Sequence, residues 1–260
     1  MTTDNSLKAM GLHSKRHTGR EKDAIQGLCD TFSNSPIPLP QKLQNFSRHT
    51  RRQDIARFLT RYELFKLSLP AHGSVVECGI FAGGGLLAWH HFSAIFEPYN
   101  HSRRIIGFDT FTGFPGVSEE DVKGGTSTNL HKGAYSVHAN IREEIEAFAA
   151  IHDENRPLGH IPKIELVQGD ANNTIPSFCE SHQHLLISLL YLDFDLYAPT
   201  KTALLNFLPR VVKGGIIAFD ELNCEEFPGE TMALMETLDM KDVQLRRLPI
   251  DPYISYFIRE

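Results

Sequence analysis

The residues best placed to do chemistry are acids that end short apolar runs. Asp193 closes Leu189-Leu190-Tyr191-Leu192, and Asp220-Glu221 close Ile216-Ile217-Ala218-Phe219. If these runs are neighbouring parallel strands, one strand–helix–strand unit apart, their carboxylates meet at one sheet edge. Acids so crowded repel one another unless a cation neutralises them. Oxygen donors without Cys or His suit a hard ion, Mg²⁺ first, with Mn²⁺ or Ca²⁺ behind it. Capping of the following helices is the competing reading. For Asp195, two residues beyond Asp193, the two readings stand level; for Asp193, Asp220 and Glu221 the cation is favoured.

A second acidic set accompanies a glycine turn. Val75-Val76-Glu77-Cys78-Gly79-Ile80-Phe81-Ala82-Gly83-Gly84-Gly85 reads as a strand running into a helix. Its glycines permit positive φ and close approach of a ligand to the backbone. The spacing is not the dinucleotide GxGxxG, and a pyrophosphate wants bare amides rather than a carboxylate two residues before the first glycine. Glu77 suits a ligand that carries an ammonium, so S-adenosylmethionine fits better than NAD. Asp109, closing Ile105-Ile106-Gly107-Phe108, can accept both hydroxyls of a ribose. Asp170, after Gln168-Gly169, is placed to reach an adenine edge. Singly each is an ordinary strand-end acid; together with the turn they point to an adenosine-type ligand.

The elements that must hold these residues alternate. Strands are expected at 74–80, 104–109, 163–169, 186–194 and 215–219, with helical spacing at 53–69, 85–96, 141–151, 198–208 and 231–238. Such alternation builds right-handed crossovers and a parallel sheet. The last β-rich runs, 243–248 and 253–258, are separated only by a Pro-containing turn, so they pair antiparallel. The fold class is therefore α/β, Rossmann-like and mostly parallel. Residues 113–160 exceed an ordinary loop and are read as a lid inserted at a strand end. Residues 1–50 form an N-terminal arm or cap that could support a homo-oligomer, leaving 51–260 as the main domain.

Composition excludes several classes. The 260 residues carry a net charge of −6, with no Lys/Arg cluster to bind nucleic acid. The four cysteines form no CxxC or Cys/His ligand spacing. There is no apolar run long enough for a membrane span and no secretory h-region near the start, so a cytoplasmic setting is expected.

The motifs VVECGIFAGGG, GFDTFTGFPG, LDFDLYAPT and GGIIAFDEL resemble those of class I S-adenosylmethionine-dependent methyltransferases, specifically the macrocin O-methyltransferase (TylF-type) family. The resemblance covers about residues 55–258. It implies a seven-stranded sheet with an antiparallel last strand. It also implies a cofactor pocket of Glu77, Gly79, Phe81, Gly83, Gly84, Asp109, Phe111, Asp170 and Asp193. Asp193, Asp220 and Glu221 would hold Mg²⁺, with Asp193 as general base. The family usually has Asp-Asp-Tyr where this chain has Asp220-Glu221-Leu222; the charge is kept and the aromatic wall is lost. Related catechol enzymes carry a Lys base three residues after the first metal Asp, a position held here by Leu196.

The expected acceptor is a deoxysugar hydroxyl, on a nucleotide or a glycosylated natural product of secondary metabolism. A TDP-rhamnose 3′-O-methyltransferase is the kind of close relative expected. A phenolic acceptor and a non-catalytic S-adenosylmethionine-binding protein are the alternatives. His131 and His138 in the lid read as surface residues before catalytic ones, and His90-His91 as packing or surface. Tyr62 and Glu63 could close over the cofactor, with core packing an equal reading for Tyr62.

Overall fold

The computed structural model describes residues 18–260. The chain divides into a smaller unit ending at Arg57 and a larger one, Phe58–Glu260. Residues 1–17 of the expected arm lie outside the described residues, and the described part of it is largely helical. Helix α1 (Gly19–Asn34) starts at a capping box between Thr18 and Glu21. Helix α2 (Leu39–Gln44) takes Pro40 into its first turn, where the missing N–H costs nothing. The Pro-rich stretch Ser35–Pro40 thus passes into helix at Leu39. Lys42 is buried, its ammonium 4.9 Å from the Phe32 ring centre.

Helix α3 (Arg52–Ser68) precedes a sheet whose parallel strands are β1 (Ser74–Cys78), β2 (Ile105–Asp109), β3 (Ile164–Gln168), β4 (Ile187–Leu192) and β5 (Val211–Phe219). Two short strands, β6 (Arg246–Arg247) and β7 (Ser255–Ile258), complete the order β3-β2-β1-β4-β5-β7-β6. β7 runs antiparallel to both β5 and β6. The expected seven strands and antiparallel closing pair are present, although β6 is much shorter than the 243–248 run suggests.

Crossover helices α4 (Gly84–Phe96), α6 (Ile141–Glu154), α7 (Ala171–Ser181) and α8 (Tyr197–Phe207) link the parallel strands, and α9 (Gly229–Thr237) follows β5. Helix α7 escapes the sequence reading because Asn172, Asn173 and Pro176 weaken its pattern. Its support is tertiary: Ile175, Phe178 and Cys179 pack against Phe207 and the sheet. Alternate strand residues feed two cores. Val76, Phe108, Leu190 and Phe219 join the α7–α9 side; Val75, Ile105, Leu189 and Tyr191 join α3, α4 and α6.

Register decides what meets at the sheet edge. Cys78 pairs with Phe108 on one side and Leu192 on the other, and Leu192 pairs with Phe219. The ladder continues one step further, with Asp193 N–H donating to Cys78 O (2.8 Å) and Asp220 N–H to Leu192 O (2.9 Å). Gly79, Asp193 and Asp220 therefore leave three adjacent strands side by side. The insertion after β2 holds a short helix, α5 (Glu119–Gly124), and closes on itself through Phe114 and Gly133–Ala134. No helix among the described residues is long and apolar enough to cross a membrane.

Candidate active site

The glycine turn is built by close approach. Gly79 has φ +88°, and a Cβ there would lie 1.9 Å from the Asp193 carbonyl oxygen. Only glycine lets the β1 and β4 ends touch in this way. Gly83 starts α4 in the left-handed region at φ +81°, while Gly84 has open space around it. Phe81 (φ +52°), Phe111 (φ +58°) and Asp195 (φ +61°) hold strained backbone in the loops after β1, β2 and β4. Such strain persists where the surroundings over-determine the loop, and it concentrates at functional edges.

Asp109 organises this turn. One carboxylate oxygen accepts the Ile80 and Phe81 amides (2.7 and 3.0 Å), and the other accepts the Phe111 amide (2.7 Å). A carboxylate has about four acceptor positions, so Asp109 keeps one for a ligand. That position is open to a ribose hydroxyl. Phe111 is buried, and Phe81 is largely exposed. Asp170 caps α7 through the Asn172 amide at 2.9 Å. A cavity of about 340 Å³ at the β2–β3 end is bounded by Phe111, Ser136, Arg142 and Gln168.

Glu77 is buried under the turn, 1 % exposed. Burial pushes its carboxyl up to about 7, against the opposing pull of the Arg61 guanidinium. Arg61 Nη2 stands 3.9 Å from Glu77 Oε1 and 3.7 Å from Asp193 Oδ2, with its guanidinium carbon 5.0 Å from the Tyr191 ring centre. The cofactor contacts expected on this helix are its neighbours, Tyr62 and Glu63. Tyr62 packs on Phe92 and Phe96, and Glu63 pairs with Lys66 on an exposed face. The available signal was periodicity: Arg61 shares the 3.6-residue face of the buried Leu64, Phe65 and Ser68.

The carboxylates after β4 and β5 do share one end of the sheet. Asp220 is buried and accepts the Tyr191 hydroxyl at 2.5 Å. Asp193 is partly open, its side chain 24 % exposed. Asp195 belongs to this group more fully than its place beyond the strand suggests. Burial and then the carboxylates of Glu221, Asp193, Glu230 and Asp220 push its pKa well up. Among the described residues, no three His, Cys, Asp or Glu side chains stand as a group that could hold a metal ion. The expected Asp193–Asp220–Glu221 centre is thus gathered on one edge but not drawn together, one Asp220 oxygen being engaged by Tyr191. The donors still fit a hard cation in kind, and the repulsion felt at Asp195 is the field such an ion would relieve.

Glu230, on α9, was missed and is central. Its buried carboxylate accepts the amides of Phe194 and Asp195 on one oxygen (3.2 and 3.3 Å) and of Glu221 on the other (3.2 Å). One side chain thereby ties the two acidic loops together. Burial, followed by Asp193 and Asp220, raises its pKa well above the carboxylate range. It too lies on an otherwise apolar face, with Ala233 and Leu234. Asp121 of the insertion plays a matching part, accepting the Tyr197 amide at 2.7 Å.

Tyr135 brings the insertion onto the site. Its ring lies 5.3 Å from Phe114, 6.2 Å from Phe227 and 6.3 Å from Phe81 of the glycine turn. Its hydroxyl accepts from Asn129 at 3.2 Å. Burial, then the Asp195 carboxylate, pushes the phenol up. His131 and His138 are exposed, the latter paired with Glu144. His90 is buried against Asp153 at 2.9 Å, a packing role. Leu196 is buried. Leu222 packs against the core rather than forming an aromatic wall.

Comparison with known proteins decides the family. The profile of the family described as Macrocin-O-methyltransferase (TylF) matches residues 68–236. The chain belongs to the macrocin O-methyltransferase (TylF) family. Two solved structures of the calicheamicin methyltransferase CalS11 are similar to this chain. One matches with 32 % identity, TM-score 0.90 and 94 % of both chains covered. The other, an apo TDP-rhamnose 3′-O-methyltransferase, matches with 30 % identity and TM-score 0.81, over 94 % of this chain and 96 % of that one. A Streptomyces olivaceus protein is 25 % identical over 153 residues, 57 % of this chain. It is named 8-demethyl-8-(2,3-dimethoxy-alpha-L-rhamnosyl)-tetracenomycin-C 4′-O-methyltransferase, and the match spans about half its length (52 %). This TylF-family chain has the class I methyltransferase fold, as the sheet order and these structures show.

Proposed function

We propose that this chain, a methyltransferase by family, moves the methyl group of S-adenosylmethionine onto a deoxysugar hydroxyl in the making of a glycosylated natural product. The observation that carries the reading is the shared edge. A buried Glu77 under an open glycine turn lies beside a partly exposed Asp193 on the adjacent strand. The sugars named for the CalS11 and tetracenomycin relatives, both rhamnose-type, support the acceptor class.

Glu77 binds the cofactor's ammonium, and Asp109 takes one ribose hydroxyl while its amide bonds keep the turn in shape. Asp170 and the β2–β3 cavity would take the adenine. Phe81 and Phe111 flank the cofactor on the strained loops. Asp193, open to the site, would accept the proton of the sugar hydroxyl as that oxygen bonds the methyl carbon and the S–CH3 bond breaks, releasing S-adenosylhomocysteine. Holding the oxygen in line with the sulfonium is where most of the rate arises. Tyr135 and the insertion cover the acceptor and exclude water. A divalent cation, Mg²⁺ or Mn²⁺, held by Asp193, Asp220 and Glu221 would lower the pKa of the acceptor hydroxyl.

The test offers TDP-deoxysugars, rhamnosylated aglycones and catechols with S-adenosylmethionine, and reads methyl transfer by mass spectrometry. Transfer to a sugar hydroxyl, abolished in Asp193→Asn, supports the proposal. Catechols as the only acceptors overturn the sugar assignment, and undiminished turnover in EDTA-treated enzyme overturns the metal. Calorimetry showing NAD binding without S-adenosylhomocysteine binding would sink the cofactor reading.

A further inference from the structure

We propose that Arg61 and Glu77 together grip the amino-acid end of the cofactor, with the Arg61 guanidinium taking its α-carboxylate. The proposal rests on the S-adenosylmethionine reading above and adds a residue that the glycine-turn motif does not contain.

Arg61 comes from α3, outside the strand-end loops, yet it reaches the centre of the site. Its Nη2 lies 3.9 Å from Glu77 Oε1 and 3.7 Å from Asp193 Oδ2. Both are ion-pair separations, beyond the 2.7–3.2 Å of a formed N–H···O bond. Its Nε is buried and has no hydrogen-bond partner among the described residues. A buried guanidinium with an unused donor is costly, and so is a buried carboxylate that does not close on it. The side chain is nevertheless held in place. Its guanidinium carbon sits 5.0 Å from the Tyr191 ring centre, a cation–π geometry.

The two heads pack directly on the start of α4, where only glycine leaves room for them. A Cβ on Gly85 would fall 2.1 Å from Glu77 Oε1 and 3.1 Å from the Arg61 guanidinium carbon and Nε. An opposite-charge pair that is near but open matches a zwitterion. An α-amino acid carries an ammonium and a carboxylate on one carbon. The ammonium satisfies Glu77, and the carboxylate receives the charge-assisted bonds that Arg61 now lacks. If Arg61 served only to neutralise the acids, a closed Arg61–Glu77 or Arg61–Asp193 salt bridge would serve better than this spacing.

The experiment is calorimetric titration with S-adenosylhomocysteine and its decarboxylated analogue, 5′-deoxy-5′-(3-aminopropylthio)adenosine. Wild type should prefer the former by roughly ten- to a hundred-fold, the range for hydrogen bonds to charged groups. Arg61→Met should bind the two within about two-fold, and Arg61→Lys should keep only part of the preference, because it keeps the charge but not the guanidinium's fork or its stacking on Tyr191. A folded Arg61→Met that retains the wild-type ratio overturns the proposal. So does a wild type that does not discriminate, which decides the matter even if Arg61→Met fails to fold. Wild type that binds neither ligand overturns the cofactor reading instead.

Discussion

Replacing Glu77 by Gln tests the electrostatics of the cofactor turn directly. The folded protein holds this carboxyl at about 7 against an ordinary 4.5, chiefly by burial. An acid raised on folding binds its proton more tightly in the native state. Its favourable contribution is complete below pH 4.5, where both states are protonated, and is lost as pH climbs to about 7. At ~1.4 kcal/mol per pH unit, the loss across that window is about 3 kcal/mol. Gln does not titrate, so Glu77→Gln lacks this slope, while the other raised acids, Asp195 and Glu230, cancel in the comparison. Urea unfolding of both proteins from pH 4 to 8 should show wild type losing about 3 kcal/mol relative to the variant. In thermal melts this is roughly 6–12 °C for a chain of this size. At pH 8, S-adenosylhomocysteine should stabilise wild type more than the variant, because its ammonium answers the buried charge. A stability difference that stays flat between pH 4 and 8 would show that Glu77 is not held as an unneutralised buried acid.

Three further outcomes follow from the same geometry. Gly79→Ala forces a side chain onto φ +88° and into the Asp193 carbonyl. It should cost at least about 2 kcal/mol of stability and abolish S-adenosylhomocysteine binding by calorimetry. Glu230→Ala leaves the amides of Phe194, Asp195 and Glu221 without their acceptor. At about 1–3 kcal/mol for a buried unsatisfied group, it should lower the melting temperature and methyl transfer together. Tyr135→Phe removes a hydroxyl facing the acid cluster and its bond from Asn129. We expect KM for the acceptor to rise about three- to ten-fold with cofactor affinity unchanged, read from steady-state kinetics beside calorimetry.

Much of this architecture is local information. Apolar runs closed by Asp or Glu, broken by glycines and alternating with 3.6-residue spacing, determine a parallel sheet with acids at its carboxyl edge. They also place Glu77, Asp109, Asp193 and Asp220 at that edge, because a strand end and its next residue follow from the run itself. Helix α7 was hidden because Asn172, Asn173 and Pro176 carry little helical signal, and packing of Ile175 and Phe178 supplies what propensity lacks.

What only the tertiary structure decided is how these acids are partnered. Asp109 reads as a free ribose clamp in the sequence, yet the folded turn engages three of its acceptor positions with amides. Arg61 and Glu230 are charged residues on apolar helix faces. Their spacing marks them as buried, but which strand ends they meet depends on how α3 and α9 dock. A run of residues records which face of a helix is inward. The partner across the gap is chosen by packing, and in this protein that choice sets the charge balance of the site.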